Sequence, residues 1–188
     1  MSQVFFISDL HIAHRNVLKF ADEYRAKAMG VETIAQHDQC IFDHWNDAVT
    51  KRDLVYVLGD LGWGYDKLKD LPGHKVLILG NHDEDNVFEY LTVFDNIVGT
   101  RKYKKNWISH FPITEVELFG RKCLHGHVHS QSVRDSRYVN VSLEMTGGKP
   151  IPFQDIAGGK FITWNRSRTD PNAVDDSIVD QAKDCGIS

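Results

Sequence analysis

The sequence predicts an α/β fold, and three observations lead to this class. Three short apolar segments rich in strand-forming residues lie in the first half of the chain. Segments of helix-like composition separate them, and each apolar segment is almost continuously hydrophobic, as expected for central strands covered on both faces. The second half contains shorter strand-like segments divided by turn signals. We therefore expect alternating strands and helices followed by a strand-rich half.

The elements of the first half follow from local composition and spacing. Strands are predicted at residues 4–8, 54–58 and 75–79. Longer helices are predicted at 16–28 and 32–49, the second because apolar side chains from Ile34 to Val49 recur near helical spacing. Shorter helices are predicted at 65–70 and 84–91.

The elements of the second half are shorter. Strands are predicted at 96–103, 106–109, 120–124, 137–141 and 161–164. Glycine-rich segments at 147–150 and 158–159 indicate loops. Asp170 followed by Pro171 has the pattern of an N-cap and a first helical residue, so a last helix is predicted up to about Lys183.

Length and composition fit an ordinary globular domain, and we expect one domain over residues 1–188. The formal net charge of -4 argues against an extended nucleic-acid surface. No secretory signal is visible, and no apolar segment is long enough to span a bilayer. Three widely separated cysteines without a CxxC pair argue against a zinc knuckle or a disulfide framework, so we expect a cytoplasmic protein.

Polar residues follow each of the three predicted strands of the first half. The first strand ends in Asp9-Leu10-His11, the second in Gly59-Asp60, and the third in Gly80-Asn81-His82-Asp83. Ligands of open α/β sheets bind beyond the carboxyl ends of the strands. Asp9 and His11 are two residues apart, so an extended backbone would point both to the same side. These residues are therefore predicted to surround one crevice.

Two histidine motifs lie downstream, namely His110 and Gly126-His127-Val128-His129. The complete set of candidate metal ligands is Asp9, His11, Asp60, Asn81, His110, His127 and His129. Mixed nitrogen and oxygen ligands suit Mn, Fe, Zn, Co or Ni better than Ca or Mg. Seven side chains are too many for one catalytic ion with open positions, and they fit two ions that share a carboxylate. Each motif alone is also typical of an ordinary turn or helix cap.

In their order along the chain, these motifs resemble the calcineurin-like metallophosphoesterase superfamily. The matching motifs run from Asp9 to His129, about two-thirds of the chain. The resemblance implies a four-layer α/β/β/α sandwich with a dinuclear metal site at one rim. It implies two divalent transition-metal ions, with manganese expected first and Fe, Zn, Ni or Co as alternatives.

The resemblance also implies a role for each motif residue. The first metal would be held by Asp9, His11 and His129, and the second by Asn81, His110 and His127. Asp60 would bridge the two ions. His82 would face the substrate phosphate or the leaving oxygen, and Asp83 would orient His82 by a hydrogen bond.

The activity implied is hydrolysis of a phosphodiester or phosphomonoester by a metal-bound hydroxide. Two ions about 3.5–4 Å apart can lower the pKa of a shared water and stabilise both sides of an in-line displacement. The substrate would be a small phosphate ester, which could be nucleotide-like. Protein Ser/Thr phosphatases of the superfamily continue differently after Asp60 and after His82, which argues against a protein substrate. The alternative is a non-catalytic metal-binding scaffold on the same fold, against which His82 argues.

Other residues keep an ordinary structural interpretation beside a functional one. His37 and His44 are expected at the surface or at the edge of the core. Trp63 and Tyr65 could stack on a base or aryl group, or they could simply close the rim of the site. His125 lies next to the last motif, and strand alternation favours a side chain that points away from the site.

Overall fold

The computed structural model describes residues 2–20, 22–161 and 163. The strands of this part are β1 Val4–Ile7, β2 Leu54–Val57, β3 His74–Ile78, β4 Asn96–Val98, β5 Thr100–Tyr103, β6 Asn106–Ser109, β7 Cys123–His125, β8 Tyr138–Asn140 and β9 Ile151–Pro152. The α-helices are α1 Val17–Phe20, α2 Asp22–Met29, α3 Ile34–Ala48, α4 Val87–Tyr90, α5 Leu143–Thr146 and α6 Phe153–Ala157. Residues Tyr65–Asp70 and Glu115–Glu117 form 3-10 helices.

The strands form two sheets. The first sheet has the order β4-β3-β2-β1-β9, in which the first four strands are parallel and β9 is antiparallel to β1. The second has the order β5-β6-β7-β8, with one antiparallel pair, β5 and β6, and parallel pairing beyond it. The carboxyl ends of β1, β2 and β3 therefore lie along one edge.

Alternating side chains of the first sheet contribute to two cores. Phe5 and Ile7 of β1 belong to the core that packs beneath the helices, together with Trp45 of α3. Phe6 lies between the two sheets, where it stacks on Tyr56 with ring centroids 5.4 Å apart. Full burial of each such side chain stabilises the fold by about 1.5–3 kcal/mol.

The second sheet is covered on its outer face as well. Leu118, Cys123 and Tyr138 form a small buried cluster there, and the segment that carries the 3-10 helix Glu115–Glu117 contributes Leu118 to it. Helices, sheet, sheet and an outer segment thus form successive layers, which confirms the expected α/β sandwich.

Helix α3 positions the helical layer. It begins at a capping box, in which the Thr33 side chain accepts from the Gln36 amide and the Gln36 side chain accepts from the Thr33 amide. It ends where Val49 adopts an extended backbone. Trp45 is fully buried, and its Nε1 donates to the Pro72 carbonyl at 2.9 Å. The helix is thereby attached to the loop before β3.

Several sequence predictions need correction. The strand predicted at 96–103 is two strands in different sheets, because the chain changes sheet at Gly99. The helix predicted at 84–91 is only Val87–Tyr90, and α5 lies in a segment for which no helix was predicted. Residues 162 and 164 of the strand predicted at 161–164 lie outside the described residues, and the helix at 170–183 lies entirely outside them. None of the helices in the described part has both the length and the apolar character needed to cross a bilayer.

Candidate metal centre

The structure brings all seven candidate ligands to one edge of the sandwich. The loop after β1 carries Asp9 and His11, the loop after β2 carries Asp60, and the loop after β3 carries Asn81. The loops after β6 and β7 carry the remaining histidines. The two sheets join at this edge, since the Ser8 amide at the end of β1 donates to the Val141 carbonyl just after β8.

The first two loops run side by side. The His11 amide donates to the Asp60 carbonyl at 2.9 Å, and the Ile12 amide donates to the Leu61 carbonyl at 2.8 Å. Close packing here requires a glycine at a third loop, because a Cβ on Gly126 would collide with Asp9 Oδ2. The loops therefore hold one another in place.

Five of the seven candidate ligands have a left-handed backbone conformation. Their φ angles are 58° at Asp9, 46° at His11, 55° at Asp60, 69° at His127 and 49° at His129. Such angles are uncommon for residues other than glycine, and they persist only where the surroundings impose them. Backbone strain concentrated in one place is typical of functional sites.

The first ligand group consists of Asp9, His11 and His129. One ligand atom from each lies within 4.8 Å of the others, so the three side chains could hold a metal ion. Asp9 is fully buried, and its carboxylate accepts from the His127 amide and from Ser142 Oγ. These donors fix the orientation of the carboxylate.

Electrostatics keep Asp9 and His11 in the form that binds a cation. Burial alone would raise the pKa of Asp9, but the imidazoles of His129, His110 and His11 lower it below its ordinary value. Burial, with a contribution from Arg25, lowers the pKa of His11 well below its ordinary value. An ionised carboxylate and a neutral imidazole are the forms that bind metals. For His129, burial lowers the pKa but is outweighed by the hydrogen bond to Glu144, so the pKa of this ring is raised.

The second ligand group consists of Asn81, His110 and His127. Asn81 Oδ1 lies 2.9 Å from His110 Nε2 and 3.0 Å from His127 Nδ1, so the three side chains converge on one point. Burial, with a contribution from His110, lowers the pKa of His127 to about 4. At neutral pH its imidazole is therefore uncharged.

Asp60 lies between the two groups. Its Oδ2 is 3.7 Å from His11 Nε2, and its Oδ1 is 3.5 Å from His110 Nε2. Asp9, Asp60 and His110 also place one ligand atom each within 4.8 Å of the others. The two groups are thus adjacent, with carboxylates where they meet.

His82 and Asp83 lie next to the ligands, but their contacts differ from the sequence prediction. The exposed His82 ring is 6.1 Å from the His11 ring. Asp83 accepts instead from the backbone amides of Gly80, Asp60 and Leu61. Among the described residues Asp83 makes no hydrogen bond to the His82 ring, so its carboxylate holds two loops together.

Sequence reasoning missed Arg25 and Glu144, which lie behind His129. Glu144 Oε1 is 2.9 Å from His129 Nδ1 and 2.7 Å from Arg25 Nε, and both side chains of this ion pair are fully buried. His37, expected at the surface or at the edge of the core, is fully buried, and its Nε2 lies 3.5 Å from Arg25 Nη1. No spacing rule connects Arg25 with Glu144, because they are 119 residues apart.

The two aromatic residues after Asp60 have different environments. Tyr65 is buried and packs against Tyr90, as expected of a residue that closes the rim of the site. Trp63 is 71% exposed and stacks on His14. His125 is fully buried, and its Nδ1 donates to the Gly126 carbonyl, in agreement with a side chain that points away from the ligands.

The chain belongs to the calcineurin-like phosphoesterase family, whose model matches residues 2–181. Membership points to a hydrolase of phosphate esters, and the Asp and His clusters described above could bind metal ions.

Relatives occur in phages and archaea. The chain is 31% identical over 180 residues to the gene 66 protein of Mycobacterium phage L5, covering 74% of this chain and 83% of that protein. It is 28% identical over 170 residues to protein MJ1445 of Methanocaldococcus jannaschii, covering 80% and 87%. The crystal structure of AQ665 from Aquifex aeolicus is similar with a TM-score of 0.63 and 26% identity, covering 84% of this chain and 99% of that one.

Proposed function

We propose that this chain, acting as a single domain, is a dinuclear-metal phosphoesterase that hydrolyses a small phosphodiester or phosphomonoester. The observation that carries the proposal is the pair of adjacent ligand groups, which share the carboxylate Asp60. Asp9, His11 and His129 would hold one ion, and Asn81, His110 and His127 the other. Asp60 would contact both.

The chemistry of the donor atoms supports this assignment. His11 Nε2 is buried and has no hydrogen-bond partner among the described residues, although it lies 3.7 Å from Asp60 Oδ2. A buried nitrogen without a partner is costly unless something else satisfies it. A cation between the histidine and the carboxylate would do so.

The second ligand group gives a similar indication. His110 Nδ1 lies 2.7 Å from the Leu58 carbonyl, which can only accept, so a neutral His110 ring carries its proton on Nδ1. The lone pair of Nε2 then faces Asn81 Oδ1, which is also an acceptor. A shared cation resolves this contact between two acceptors.

Two bound divalent ions would supply Lewis acidity and lower the pKa of a shared water, which makes hydrolysis possible near neutral pH. The mixture of carboxylate, amide and imidazole ligands suits a transition metal, and we expect manganese, with Fe, Zn, Ni or Co as alternatives.

His82 would act directly on the substrate. Its exposed imidazole beside His11 is in reach of a phosphoryl group held at the ligands. Such a ring can donate a proton to the leaving oxygen or stabilise the charged phosphoryl oxygens. Asp83 would contribute by fixing the loops that carry Asp60 and Asn81. His82 beside a complete ligand set argues against a non-catalytic scaffold.

A cytoplasmic location is part of the proposal, and it rests on the three widely separated cysteines of the sequence, which include no CxxC pair.

The test is hydrolysis of bis(p-nitrophenyl) phosphate beside p-nitrophenyl phosphate, with chelator-stripped protein to which Mn²⁺ is added back. Turnover that requires the metal is expected, and the preferred ester decides between diester and monoester. An absence of turnover on both esters, with two bound ions confirmed by elemental analysis, would contradict the proposed hydrolysis of such esters. It would favour the non-catalytic metal-binding scaffold.

A further inference from the structure

We propose that Glu144 is a positioning residue that presents Nε2 of His129 to the first ligand group. This inference rests on the proposed function, because it assumes that Asp9, His11 and His129 hold a metal. Glu144 does not itself lie among the candidate ligands. It acts through the ring of His129.

The contact between Glu144 and His129 determines which ring nitrogen is available. Glu144 Oε1 is 2.9 Å from His129 Nδ1, and a carboxylate can only accept a hydrogen bond. Nδ1 therefore carries the proton of a neutral His129 ring. Nε2 keeps its lone pair and lies 4.0 Å from Asp9 Oδ1, on the side of the ligands. A carboxylate behind a metal-binding histidine fixes its tautomer and orientation in this way.

Arg25 makes a buried carboxylate possible at this place. Its Nε donates to the same Oε1 of Glu144 at 2.7 Å, and both side chains have no exposed surface. An unpaired buried charge would cost several kcal/mol. Arg25 Nη2 also lies 3.4 Å from His129 Nδ1, but a guanidinium can only donate, so this contact is no hydrogen bond when Nδ1 carries the proton.

A chain of contacts continues from Arg25 to the loop that carries His11, the other histidine of the first ligand group. His37 Nε2 lies 3.5 Å from Arg25 Nη1, and His37 Nδ1 lies 2.9 Å from Asp38 Oδ1. Asp38 accepts from the Ala13 amide at 3.0 Å, two residues beyond His11. Helices α2, α3 and α5 thus connect the His129 ring with the loop that carries His11.

The tautomer gives a test that does not depend on turnover. In metal-free protein, at an alkaline pH where the His129 ring is neutral, long-range ¹H–¹⁵N spectra should show His129 protonated on Nδ1. Glu144→Ala should convert this ring to the Nε2–H form or a mixture, whereas Glu144→Gln should retain Nδ1–H because its amide oxygen still accepts. Retention of the wild-type tautomer in Glu144→Ala would overturn the proposal.

Metal affinity gives the second readout. Calorimetry with Mn²⁺ should show a loss of about 10- to 100-fold at one of two sites in Glu144→Ala. The other site should be unchanged, and the exposed control Glu117→Ala should match the wild type at both. Equal losses at both sites would indicate a general structural role and overturn the proposal. If Glu144→Ala does not fold, the double variant Arg25→Leu/Glu144→Leu, which removes the charge pair, replaces it with the same expectations.

A wild-type protein that binds no second ion would instead contradict the proposed function. The tautomer of His129 would still be measurable, so the two failures are distinguishable.

A second inference comes from a different observation. We infer that Trp63 is a stacking surface for a planar aromatic group of the substrate, such as a nucleobase. This deepens the proposed function and rests on it. The indole stacks on His14 with ring centroids 4.8 Å apart and an interplanar angle of 12°, yet the residue is 71% exposed. Exposed aromatic rings occur elsewhere on this chain, but the indole of Trp63 is also stacked on a second ring and so offers a flat, ordered surface.

The position of Trp63 is fixed by the backbone on both sides. Gly62 pairs with Ile12, and the Gly64 amide donates to the Ile12 carbonyl at 3.1 Å. The His14 ring is in turn 5.6 Å from the ring of the candidate ligand His11. The indole is therefore separated from the ring of His11 by the ring of His14 alone.

The test compares adenosine 5′-phosphate with ribose 5-phosphate, which differ by the base. Calorimetry on Mn²⁺-loaded protein, with phosphate release monitored in parallel, should show tighter binding of the nucleotide by about tenfold. Trp63→Ala should remove this difference and leave ribose 5-phosphate unchanged, Trp63→Phe should retain most of it, and the exposed control Phe119→Ala should retain all of it.

Two results would overturn this second inference. One is equal binding of both probes by the wild type, and the other is a loss in Trp63→Ala that is the same for both. An absence of metal-dependent turnover on the generic esters would contradict the proposed function separately, because the binding experiment does not require hydrolysis.

Discussion

The two ligand groups differ in what holds their side chains. In the first group Asp9 is fully buried, and side-chain contacts from Ser142 and Glu144 orient the ligands. In the second group Asn81 is exposed, and the buried His110 is oriented by a backbone carbonyl. The first group is therefore more completely preorganised. We expect it to bind its ion more tightly and the second group to exchange its ion with solvent.

The largest expected effect comes from removing what the two groups share. Asp60→Asn keeps the size of the side chain but removes the charge that faces both His11 and His110. We expect turnover to fall to the background of the assay and bound metal to fall below two ions per chain, measured by elemental analysis. Retention of two ions would show that Asp60 does not bridge them.

The next largest effect should come from His82, which belongs to neither group. His82→Ala should keep both ions and lower turnover by about 10²- to 10⁴-fold, the usual contribution of a general acid or base. The control is His74→Ala at the opposite end of β3, where the imidazole is exposed and lies 3.5 Å from Asp95. Unchanged turnover in His82→Ala would remove the role proposed for it.

The third prediction uses two variants to test whether the first ligand group binds its ion more tightly than the second. Asn81→Ala should weaken the more exposed site and leave the tighter ion bound, because the first ligand group keeps all its contacts. His11→Ala should instead remove the tighter ion. Calorimetric titration of each variant with Mn²⁺ measures this. The comparison is wrong if both variants lose the same ion.

The smallest effect is expected far from the ligands. Asp53 precedes β2 and accepts from the Gln3 amide at 2.6 Å and from the Thr50 amide and hydroxyl at 2.7 Å. Asp53→Asn should lower the free energy of unfolding by about 1–3 kcal/mol, since hydrogen bonds to a charged acceptor are replaced by weaker ones. Metal binding should not change, which separates effects at the site from general destabilisation.

The pH dependence of this effect has a definite sign. Burial alone would raise the pKa of Asp53, but hydrogen bonds from Gln3 and Thr50 lower it below its ordinary value. The stabilisation is therefore complete above the pKa of the unfolded chain and is lost as the pH falls through the lower folded value. Urea unfolding at several pH values should show wild type and Asp53→Asn converging in acid. A difference that grows in acid would contradict this.

The sequence predicted the fold and the convergence of the candidate ligands more completely than the contacts around them. Continuous apolar segments followed by Asp9, Asp60 and Asn81 placed these residues at strand ends, because the carboxyl ends of parallel strands meet at one edge. The same segments pair as parallel strands of one sheet, as the predicted α/β sandwich requires.

The surroundings of the ligands could not be predicted in this way. Glu144 lies in a segment for which no helix or strand was predicted. Its contact with Arg25 joins residues 119 apart, so no local sequence pattern predicts it. The loop contacts of Asp83 likewise depend on how three strand ends pack, whereas sequence suggested only its neighbour His82. Gly99 gave no signal of a change of sheet between β4 and β5.

The central claim is tested most directly by turnover measured against bound metal. Chelator-stripped protein would be titrated with Mn²⁺, with bound equivalents and bis(p-nitrophenyl) phosphate hydrolysis followed together. Two ions should bind in sequence, and hydrolysis should begin only as the second, weaker site fills. Full activity with one equivalent bound, or in the presence of excess chelator, would contradict a dinuclear mechanism.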